Sequence, residues 1–453
     1  MAAVMRLQRV VSQDDTTALC NDGSGPAYYY SQGDPRTILI WLEGGFGCHS
    51  LESCLKRAEA APQLMSSTGL PEEVSKDGIF SGISTRNPLF YNASKAFVHY
   101  CSSDSWTGDA ESAAFAPNES KAPPGGWSSS LHRLQSGGGV FFQGQRIIDA
   151  VLRDLEYRHD LGAAELVVFG GCSAGGRGAF YNLDRVCDEL ASRHTGAVFR
   201  CRGALDAAWW VLPPQGTVLL AMSREGFSVW QPSGLFARCG AAQPDNYSHH
   251  CMFGPALAPH VHTPFLVHGE LWDTFQLGMN GIHGPPVLWG PWSWSFAREL
   301  RDSIRASISE IAAPHASFAA GCLGHCFGEA EAFGGVRFYS EPQLSLQIAL
   351  QQWLQDGRSA ALVDACEGVN CSGGCQGMFW NFGLSLAMWS LVLLAAVAAL
   401  CTVAAATGSV GWVLSPAEYA RRCARRRGAA LRKKSYSTAP PCQATSTTIG
   451  ALE

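Results

Sequence analysis

The segment Glu165-Leu-Val-Val-Phe-Gly-Gly-Cys-Ser-Ala-Gly175 joins an apolar run to a glycine-rich turn that contains a serine. A short continuous apolar run that ends in glycines is typical of a buried strand. The residues from Gly175 to Arg193 are predicted as a helix. Ser173 is therefore expected at a sharp strand-to-helix turn, exposed at the edge of a sheet. The helix N-terminus below it favours negative charge.

Strands and helices alternate along the rest of the first 375 residues. Such alternation implies a mostly parallel sheet with helices on both faces. We therefore expect an α/β fold, similar to that of the α/β-hydrolases, in which Gly-x-Ser-x-Gly at such a turn is the nucleophile elbow. A glycine-rich turn without chemical function is the alternative. The other predicted elements are strands at 37–42, 96–100, 198–205 and 263–269, a helix at 143–159 and a long loop at 281–294.

A serine hydroxyl is a weak nucleophile at neutral pH and needs a base that is oriented by an acid. In hydrolases with this elbow, the acid and then the histidine follow the serine along the chain. His325 lies in a late loop of small residues, Ala320-Gly-Cys-Leu-Gly-His-Cys326. Asp206 and Asp273 each follow a predicted strand. Spacing favours Asp273 and leaves Asp206 as the alternative.

The oxyanion of an acyl-transfer reaction needs hydrogen-bond donors. The N–H of the residue after the nucleophile, Ala174, is one predicted donor. The early strand–loop junction Glu43-Gly-Gly-Phe-Gly47 is expected to supply the others.

The composition restricts the class of protein. The chain has 453 residues, of which 47% are hydrophobic and 16% charged, with a net charge of −5. A large folded core is expected, and the mild acidity gives no reason to expect a nucleic-acid partner. No charged residue occurs between Glu367 and Glu418. Within this interval, residues 379–406 are long and apolar enough to cross a membrane as one C-terminal helix. A buried core helix is the alternative.

Residues 415–453 are predicted to form a basic, disordered tail. Eight Lys and Arg residues lie between Arg421 and Lys434. Positive charge beside a single span favours the cytoplasmic side, and contact with anionic lipid is expected there. A solvated or nucleic-acid-binding tail is the alternative. The prediction is a single-pass membrane protein with residues 1–378 lumenal or extracellular and a cytoplasmic tail.

Two other patterns agree with this topology. Fourteen of the 17 cysteines precede the predicted span, as expected of disulfides in an oxidising compartment. All four Asn-x-Ser sequons precede it too, and these are the candidate glycosylation sites. One pattern disagrees, because Met1–Val11 contains no apolar stretch typical of a signal peptide. The sequons are at Asn92, Asn118, Asn246 and Asn370.

Seven sequence blocks resemble the pectinacetylesterase/Notum family and occur in the family's order. The resemblance covers a hydrolase domain (18–375). An N-terminal extension (1–17) precedes this domain, and the predicted transmembrane helix (379–406) and tail (415–453), which are not part of the family's usual pattern, follow it. The blocks are Cys20–Tyr29, Trp41–Cys48, Tyr100–Asp109, Phe142–Ile147, Gly170–Gly176, Leu271–Leu277 and Ser317–His325.

The resemblance also implies the site residues. It implies a carboxylesterase without cofactor or metal, with the triad Ser173, Asp273 and His325 and the oxyanion donors Gly45, Phe46 and Ala174. It implies disulfides between Cys20 and Cys101, between Cys48 and Cys54, and between Cys239 and Cys251. Cys366, Cys371 and Cys375 resemble the family's late cysteine block. A zinc site there is the less favoured alternative, because no fourth ligand lies nearby.

The substrate stays open at this point. Our leading hypothesis is a membrane-anchored serine carboxylesterase that removes acetyl groups from an acylated polysaccharide, which needs an open groove. The alternative is Notum-like removal of a long acyl chain from an acylated secreted protein, which needs a deep apolar pocket. A catalytically inactive binding module is a lesser alternative, because all three triad residues are present.

Overall fold

The computed structural model describes residues 2–11, 18–115, 138–194, 196, 198–244 and 247–375. The strands in these ranges are β1 (Ala3–Arg9), β2 (Ala27–Ser31), β3 (Asp34–Leu42), β4 (Glu73–Lys76), β5 (Ala93–Val98), β6 (Leu166–Cys172), β7 (Arg200–Asp206), β8 (Phe265–His268), β9 (Trp272–Asp273), β10 (Ala316–Ala319), β11 (Leu323–Gly324) and β12 (Ala361–Val363). The α-helices are α1 (Leu51–Ala60), α2 (Gly144–His159), α3 (Ala174–Arg193), α4 (Val218–Trp230), α5 (Leu235–Ala241), α6 (Gly254–Leu257), α7 (Thr274–Met279), α8 (Pro291–Ser309), α9 (Ala332–Gly335) and α10 (Leu346–Asp356).

A ten-stranded sheet in the order β12-β10-β8-β7-β6-β3-β5-β2-β1-β4 forms the centre of the fold. Neighbouring strands from β12 to β5 pair in parallel. Strands β2, β1 and β4 continue the sheet by antiparallel pairing. The prediction of a mostly parallel sheet in an α/β fold is therefore confirmed.

Side chains on β3 show why this sheet is predictable. Ile38, Ile40 and Leu42 belong to one buried hydrophobic cluster, whereas Leu39 and Trp41 belong to another. The first cluster includes side chains of α2, α3 and α8, and the second includes those of α10. Because both faces of the strand are buried, its sequence is a continuous apolar run instead of an alternating one.

The antiparallel edge was not predicted. Residues 1–17 were expected to precede the domain, but β1 pairs with β2 on one side and β4 on the other. Its sequence, Ala3-Val-Met-Arg-Leu-Gln-Arg9, mixes apolar and charged residues, and only Met5 is fully buried. A half-exposed strand of this kind has a weak hydrophobic pattern.

The predicted loop at 281–294 is shorter in the structure, because helix α8 begins at Pro291. Proline is favourable at the first helical position, where the backbone N–H has no partner within the helix. Trp292 and Trp294, at the end of the predicted loop, therefore lie on the first turn of a helix.

Disulfides join all fourteen cysteines of the described residues. Since Cys366 pairs with Cys371 and Cys375 with Cys322, these cysteines have no thiolate left for zinc. The pairs are Cys20–Cys101, Cys48–Cys54, Cys172–Cys326, Cys187–Cys201, Cys239–Cys251, Cys322–Cys375 and Cys366–Cys371.

The predicted span (379–406) and tail (415–453) lie outside the described residues, and so do Asn118 and Asn246. Among the helices of the described ranges, none combines the length and the apolar character needed to cross a membrane. The Asn92 side chain is exposed. Asn370 is partly buried, and its Oδ1 accepts a hydrogen bond from the Leu323 N–H.

Candidate active site

Ser173 occupies the turn between β6 and α3. Its backbone has φ 57° and ψ −121°, a conformation that side-chain-bearing residues rarely adopt. The glycines around it allow the helix to pass close to the sheet, because a Cβ on Gly175 would lie 1.9 Å from the Leu42 carbonyl oxygen. The Ser173 N–H donates to the Asp206 carbonyl oxygen at 2.9 Å. The sequence thus folds into the strand–turn–helix arrangement of a nucleophile elbow.

A two-residue parallel ladder brings the predicted acid and base together. In this ladder Trp272 pairs with Leu323, and Asp273 with Gly324. His325 follows Gly324 directly, and its Nδ1 lies 2.9 Å from Asp273 Oδ1. This hydrogen bond is the contact by which an acid fixes the orientation of a catalytic imidazole.

Asp273 is itself held rigidly. It is the N-cap of α7, and its Oδ1 accepts the Phe275 N–H at 2.8 Å. Its Oδ2 accepts the side-chain N–H of Gln276 at 2.9 Å. Burial alone would raise the pKa of Asp273, but His325 and these hydrogen bonds lower it below the usual range. The carboxylate is therefore ionised and fixed in place, as an orienting acid needs to be.

The other nitrogen of His325 is available for proton transfer. His325 Nε2 is buried and has no hydrogen-bond partner among the described residues. Ser173 is 7% exposed. No hydrogen bond joins the two side chains here, which is common in unliganded sites, where such contacts form when substrate binds.

Asp206, the alternative acid, lies beside the triad and has different partners. Its Oδ1 lies 2.6 Å from His268 Nδ1, and its Oδ2 accepts the Gly328 N–H at 2.6 Å. Its main-chain oxygen accepts the Ser173 N–H. Asp206 thus connects the turn at Ser173 with the loop that carries His325, and it does not bond the His325 imidazole.

A third carboxylate, Glu270, lies behind the triad and was not predicted from the sequence. It is completely buried, neither of its oxygens has a hydrogen-bond partner, and Oε1 lies 3.9 Å from His268 Nε2. Burial raises the pKa of Glu270. Burial opposes protonation of His325, but Asp273, Glu270 and Asp206 together raise the pKa of its imidazole to about 9.

Three groups of side chains here bring possible metal-ligand atoms within 4.8 Å of one another. In the first group, Cys172 and Cys326 form a disulfide with each other. In the third group, Asp273 and His325 bond each other, so a metal would have to replace that hydrogen bond. The groups are Cys172, Asp206 and Cys326; Asp206, His268 and Glu270; and Glu270, Asp273 and His325.

The predicted oxyanion donors lie on a strained loop against the elbow. Gly45 and Phe46 have positive φ values of 141° and 60°. Their carbonyl oxygens accept hydrogen bonds from Arg57 Nη1 at 2.7 Å and from the Tyr100 hydroxyl at 2.6 Å. Since the C=O of one residue and the N–H of the next point in opposite directions in a trans peptide, these bonds turn the N–H groups of Phe46 and Gly47 away from Arg57 and Tyr100. Within the described residues, the N–H groups of Gly45, Phe46 and Ala174 donate to no other group.

An aromatic ring covers one face of the His325 imidazole. Phe275 stacks on His325 with a centroid distance of 5.3 Å, and it contacts Phe46 at 5.3 Å and Trp210 at 4.9 Å. Phe46 and Trp210 thus support the ring that stacks on the imidazole.

Comparisons with known proteins find related sequences and a similar fold. A family model described as pectinacetylesterase matches residues 2–376. The human palmitoleoyl-protein carboxylesterase NOTUM is 30% identical over 388 residues, covering 80% of this chain and 71% of the human protein. The mouse protein of the same name is 29% identical, covering 80% of this chain and 70% of its own length. The structure of the Wnt deacylase Notum from Drosophila superimposes with a TM-score of 0.69 at 25% identity, covering 82% of this chain and 99% of that one.

Proposed function

Because this chain belongs to the pectinacetylesterase family and is an ester hydrolase, we propose that it is a serine carboxylesterase that uses Ser173, His325 and Asp273. The Ser173 hydroxyl attacks the acyl carbonyl while His325 Nε2 accepts its proton. The imidazolium then returns that proton to the departing alcohol, and water releases the acid from the acyl-enzyme by the same steps. Asp273 holds the imidazole and stabilises its charged form.

One observation carries this proposal. The buried hydrogen bond of 2.9 Å between His325 Nδ1 and Asp273 Oδ1 leaves Nε2 as the only ring nitrogen able to act as a base. The strained elbow at Ser173 supports the nucleophile. The N–H groups of Gly45, Phe46 and Ala174 are proposed to bind the oxyanion, a contribution of about 10²–10³ in rate for each donor.

We propose an acylated polysaccharide that loses acetyl groups as the substrate. The description of the family model supports this choice. Removal of a long acyl chain from a secreted protein is the second candidate. It is supported by relatives named palmitoleoyl-protein carboxylesterase, which are 29% and 30% identical.

Hydrolysis of 4-nitrophenyl esters with acyl chains of increasing length tests both the esterase activity and the preferred acyl group. We expect activity on the acetyl ester that falls as the chain lengthens, whereas a Notum-like enzyme would favour long chains. Ser173→Ala should lower kcat by about 10⁴–10⁶. Ser228→Ala, on the exposed surface of α4, is the matched control. Activity retained in Ser173→Ala at more than a tenth of wild type would refute the proposed nucleophile.

We also propose that residues 379–406 anchor the hydrolase domain to a membrane, with the domain lumenal or extracellular and the basic tail cytoplasmic. The uncharged interval between Glu367 and Glu418 supports an anchor. The disulfides of residues 18–375 support an oxidising compartment. In intact microsomes, added protease should remove the tail and spare the domain. Digestion of the domain without detergent would contradict this orientation.

A further inference from the structure

One arginine next to the nucleophile is buried without a negative partner. Arg177 is on the first turn of α3, and its N–H donates to the Ser173 carbonyl oxygen at 2.9 Å. The residue is only 2% exposed. Its Nη2 donates to the sulfur of Met252 at 3.3 Å, and its Nη1 has no hydrogen-bond partner. A thioether sulfur is a weak acceptor, so the guanidinium has no strong acceptor in the described residues.

Other buried or half-buried arginines of the described residues donate to at least one oxygen. Arg57 donates to Gly45 and Ser103, Arg158 pairs with Asp154, and Arg305 pairs with Glu367. For Arg177 the charge interactions involve only Tyr181 and Tyr100, and burial lowers the pKa of its guanidinium to about 9. The group therefore stays mostly protonated at neutral pH. Burying a charge without a partner costs free energy, so an anion is the ligand that would stabilise the Arg177 guanidinium.

Two more donors lie beside this guanidinium. The guanidinium carbon of Arg177 lies 3.9 Å from the centre of the Trp210 ring. The Trp210 Nε1–H is buried and has no acceptor. The Tyr181 hydroxyl, one helical turn beyond Arg177, is also buried without a partner. We call these three side chains the donor cluster. Three buried groups that offer N–H and O–H bonds, without an acceptor among them beyond one hydroxyl, suit a carboxylate.

The donor cluster adjoins the reacting atoms. Trp210 contacts Phe275, which stacks on His325. On the other side, the Tyr100 hydroxyl, which interacts electrostatically with Arg177, bonds the Phe46 carbonyl of the proposed oxyanion loop. A group bound at the cluster would therefore be part of a substrate that also reaches Ser173.

We infer that the donor cluster is an anion subsite that binds a carboxylate at the far end of the acyl group. This subsite extends the range of substrates beyond the proposed acetyl esters to half-esters of dicarboxylic acids, which water cleaves to an alcohol and a dicarboxylate. We place the carboxylate on the acyl side of the ester because each residue of the donor cluster is at most 3% exposed. A polysaccharide or protein alcohol is too large for such an interior position, so the carboxylate has to belong to the acyl group. This inference rests on the proposed esterase function.

The position of the carboxylate is tested with two 4-nitrophenyl esters and one 4-carboxyphenyl ester. The acyl pair is 4-nitrophenyl valerate and the 4-nitrophenyl half-ester of glutaric acid, which have equal chain length and differ by the carboxylate. The third substrate, 4-carboxyphenyl valerate, has its carboxylate on the alcohol. We expect wild-type kcat/KM to favour the glutarate half-ester over valerate by about 10- to 100-fold, as a charge-assisted hydrogen bond allows. A preference for valerate, or for the alcohol-side carboxylate, would overturn the inference.

The variants separate recognition from folding. Arg177→Met should abolish the preference for glutarate and leave valerate hydrolysis much less affected, while Arg177→Lys should keep part of the preference. Tyr181→Phe removes a hydroxyl without a partner, so it should fold normally and lower the rate on glutarate more than the rate on valerate. Arg193→Met, on the surface of the same helix, is the control and should change neither ester. An equal loss on both esters in Arg177→Met and Tyr181→Phe would show a structural role.

Binding of glutarate to the Ser173→Ala variant separates this inference from the esterase proposal. Calorimetry should detect glutarate and not valeramide, and Arg177→Met should remove the signal. If the wild type hydrolyses valerate through Ser173 but neither prefers the half-ester nor binds glutarate, the inference fails and the esterase proposal stands. If no ester is hydrolysed but glutarate binds through Arg177, the esterase proposal fails and the anion subsite stands.

Discussion

Cys172 and Cys326 form a disulfide that joins the residue before Ser173 to the residue after His325. The proposed nucleophile and the proposed base lie on different loops, after β6 and after β11, and this bond fixes the two loops to each other. The link was not predicted, because the two cysteines are 154 residues apart and neither sequence motif indicates a partner. Catalytic geometry is sensitive to such a link, since a displacement of about 1 Å can cost about 10²-fold in rate.

We expect the double variant Cys172→Ser, Cys326→Ser to lower kcat by about 10- to 100-fold, because His325 is then held less precisely against Ser173. Cys187→Ser with Cys201→Ser is the matched control, since that disulfide joins α3 to β7 and not the two catalytic loops. The control should lower the midpoint of thermal unfolding with little change in the kcat of folded protein. Equal kcat values for the two double variants would show that the Cys172–Cys326 bond has no role in the active site.

The second prediction concerns the two aspartates. Asp273→Asn should lower kcat by about 10⁴, because an asparagine stabilises the wrong tautomer of the imidazole. Asp206→Asn should cause a much smaller loss of kcat and lower the free energy of unfolding by about 1–3 kcal/mol, because Asp206 bonds Gly328 and His268 in the interior. Steady-state kinetics and urea unfolding of both variants check this. A larger loss of kcat in Asp206→Asn would reverse the assignment.

The choice between Asp206 and Asp273 shows what a local sequence pattern cannot predict. Both follow strands, and the sequence around each permits either to be the acid. The contact that distinguishes them is the ladder between β9 and β11, whose strands are two residues long. Strands this short have no detectable period, so only the folded chain brings Asp273 beside His325.

Buried, continuous apolar strands and the glycine-rich elbow could be predicted, because their signals lie within about ten residues. The turn at Ser173 needs glycine at positions where a Cβ would overlap the backbone, and these glycines can be recognised in the sequence. Glu270 and Arg177 could not be found in this way. Both side chains are notable because they are buried without an oppositely charged group at hydrogen-bond distance. The sequence does not indicate this, since a charged residue is expected to lie at the surface.

The third prediction tests the oxyanion loop through Tyr100. Tyr100→Phe removes the hydroxyl that bonds the Phe46 carbonyl at 2.6 Å and accepts the Ser105 N–H at 2.7 Å. We expect kcat to fall by about tenfold or more, with KM little changed, because a misaligned oxyanion donor affects the transition state most. Stability should fall by about 1–3 kcal/mol through the unsatisfied groups.

Tyr28→Phe is the control for that experiment. The Tyr28 hydroxyl is also buried and donates to Asp154 at 2.7 Å, on α2. Tyr28→Phe should lower the free energy of unfolding by a similar amount and leave kcat unchanged. If Tyr100→Phe keeps full kcat in the folded fraction, its hydroxyl does not position the oxyanion loop.

The last prediction is the pH dependence of the reaction. His325 has to be neutral to accept the serine proton, and the neighbouring carboxylates Asp273, Glu270 and Asp206 raise its pKa from 6.5 to about 9. The value of kcat/KM should therefore increase with pH up to about 9. Because the pKa in the folded state is raised, the stabilisation by imidazolium is complete below 6.5 and is lost as the pH rises through about 9.

Glu270→Gln should move this pH profile, because it removes one of the negative charges that favour the imidazolium. We expect the rising limb of kcat/KM to shift by about one pH unit or more towards acid. Glu52→Gln, on the exposed surface of α1, is the control and should leave the profile unchanged. His268 also faces Glu270, at 3.9 Å, so His268→Gln is measured in parallel to separate the two imidazoles. A limb that stays in place in Glu270→Gln, or one that moves only in His268→Gln, would show that Glu270 does not control the basicity of His325.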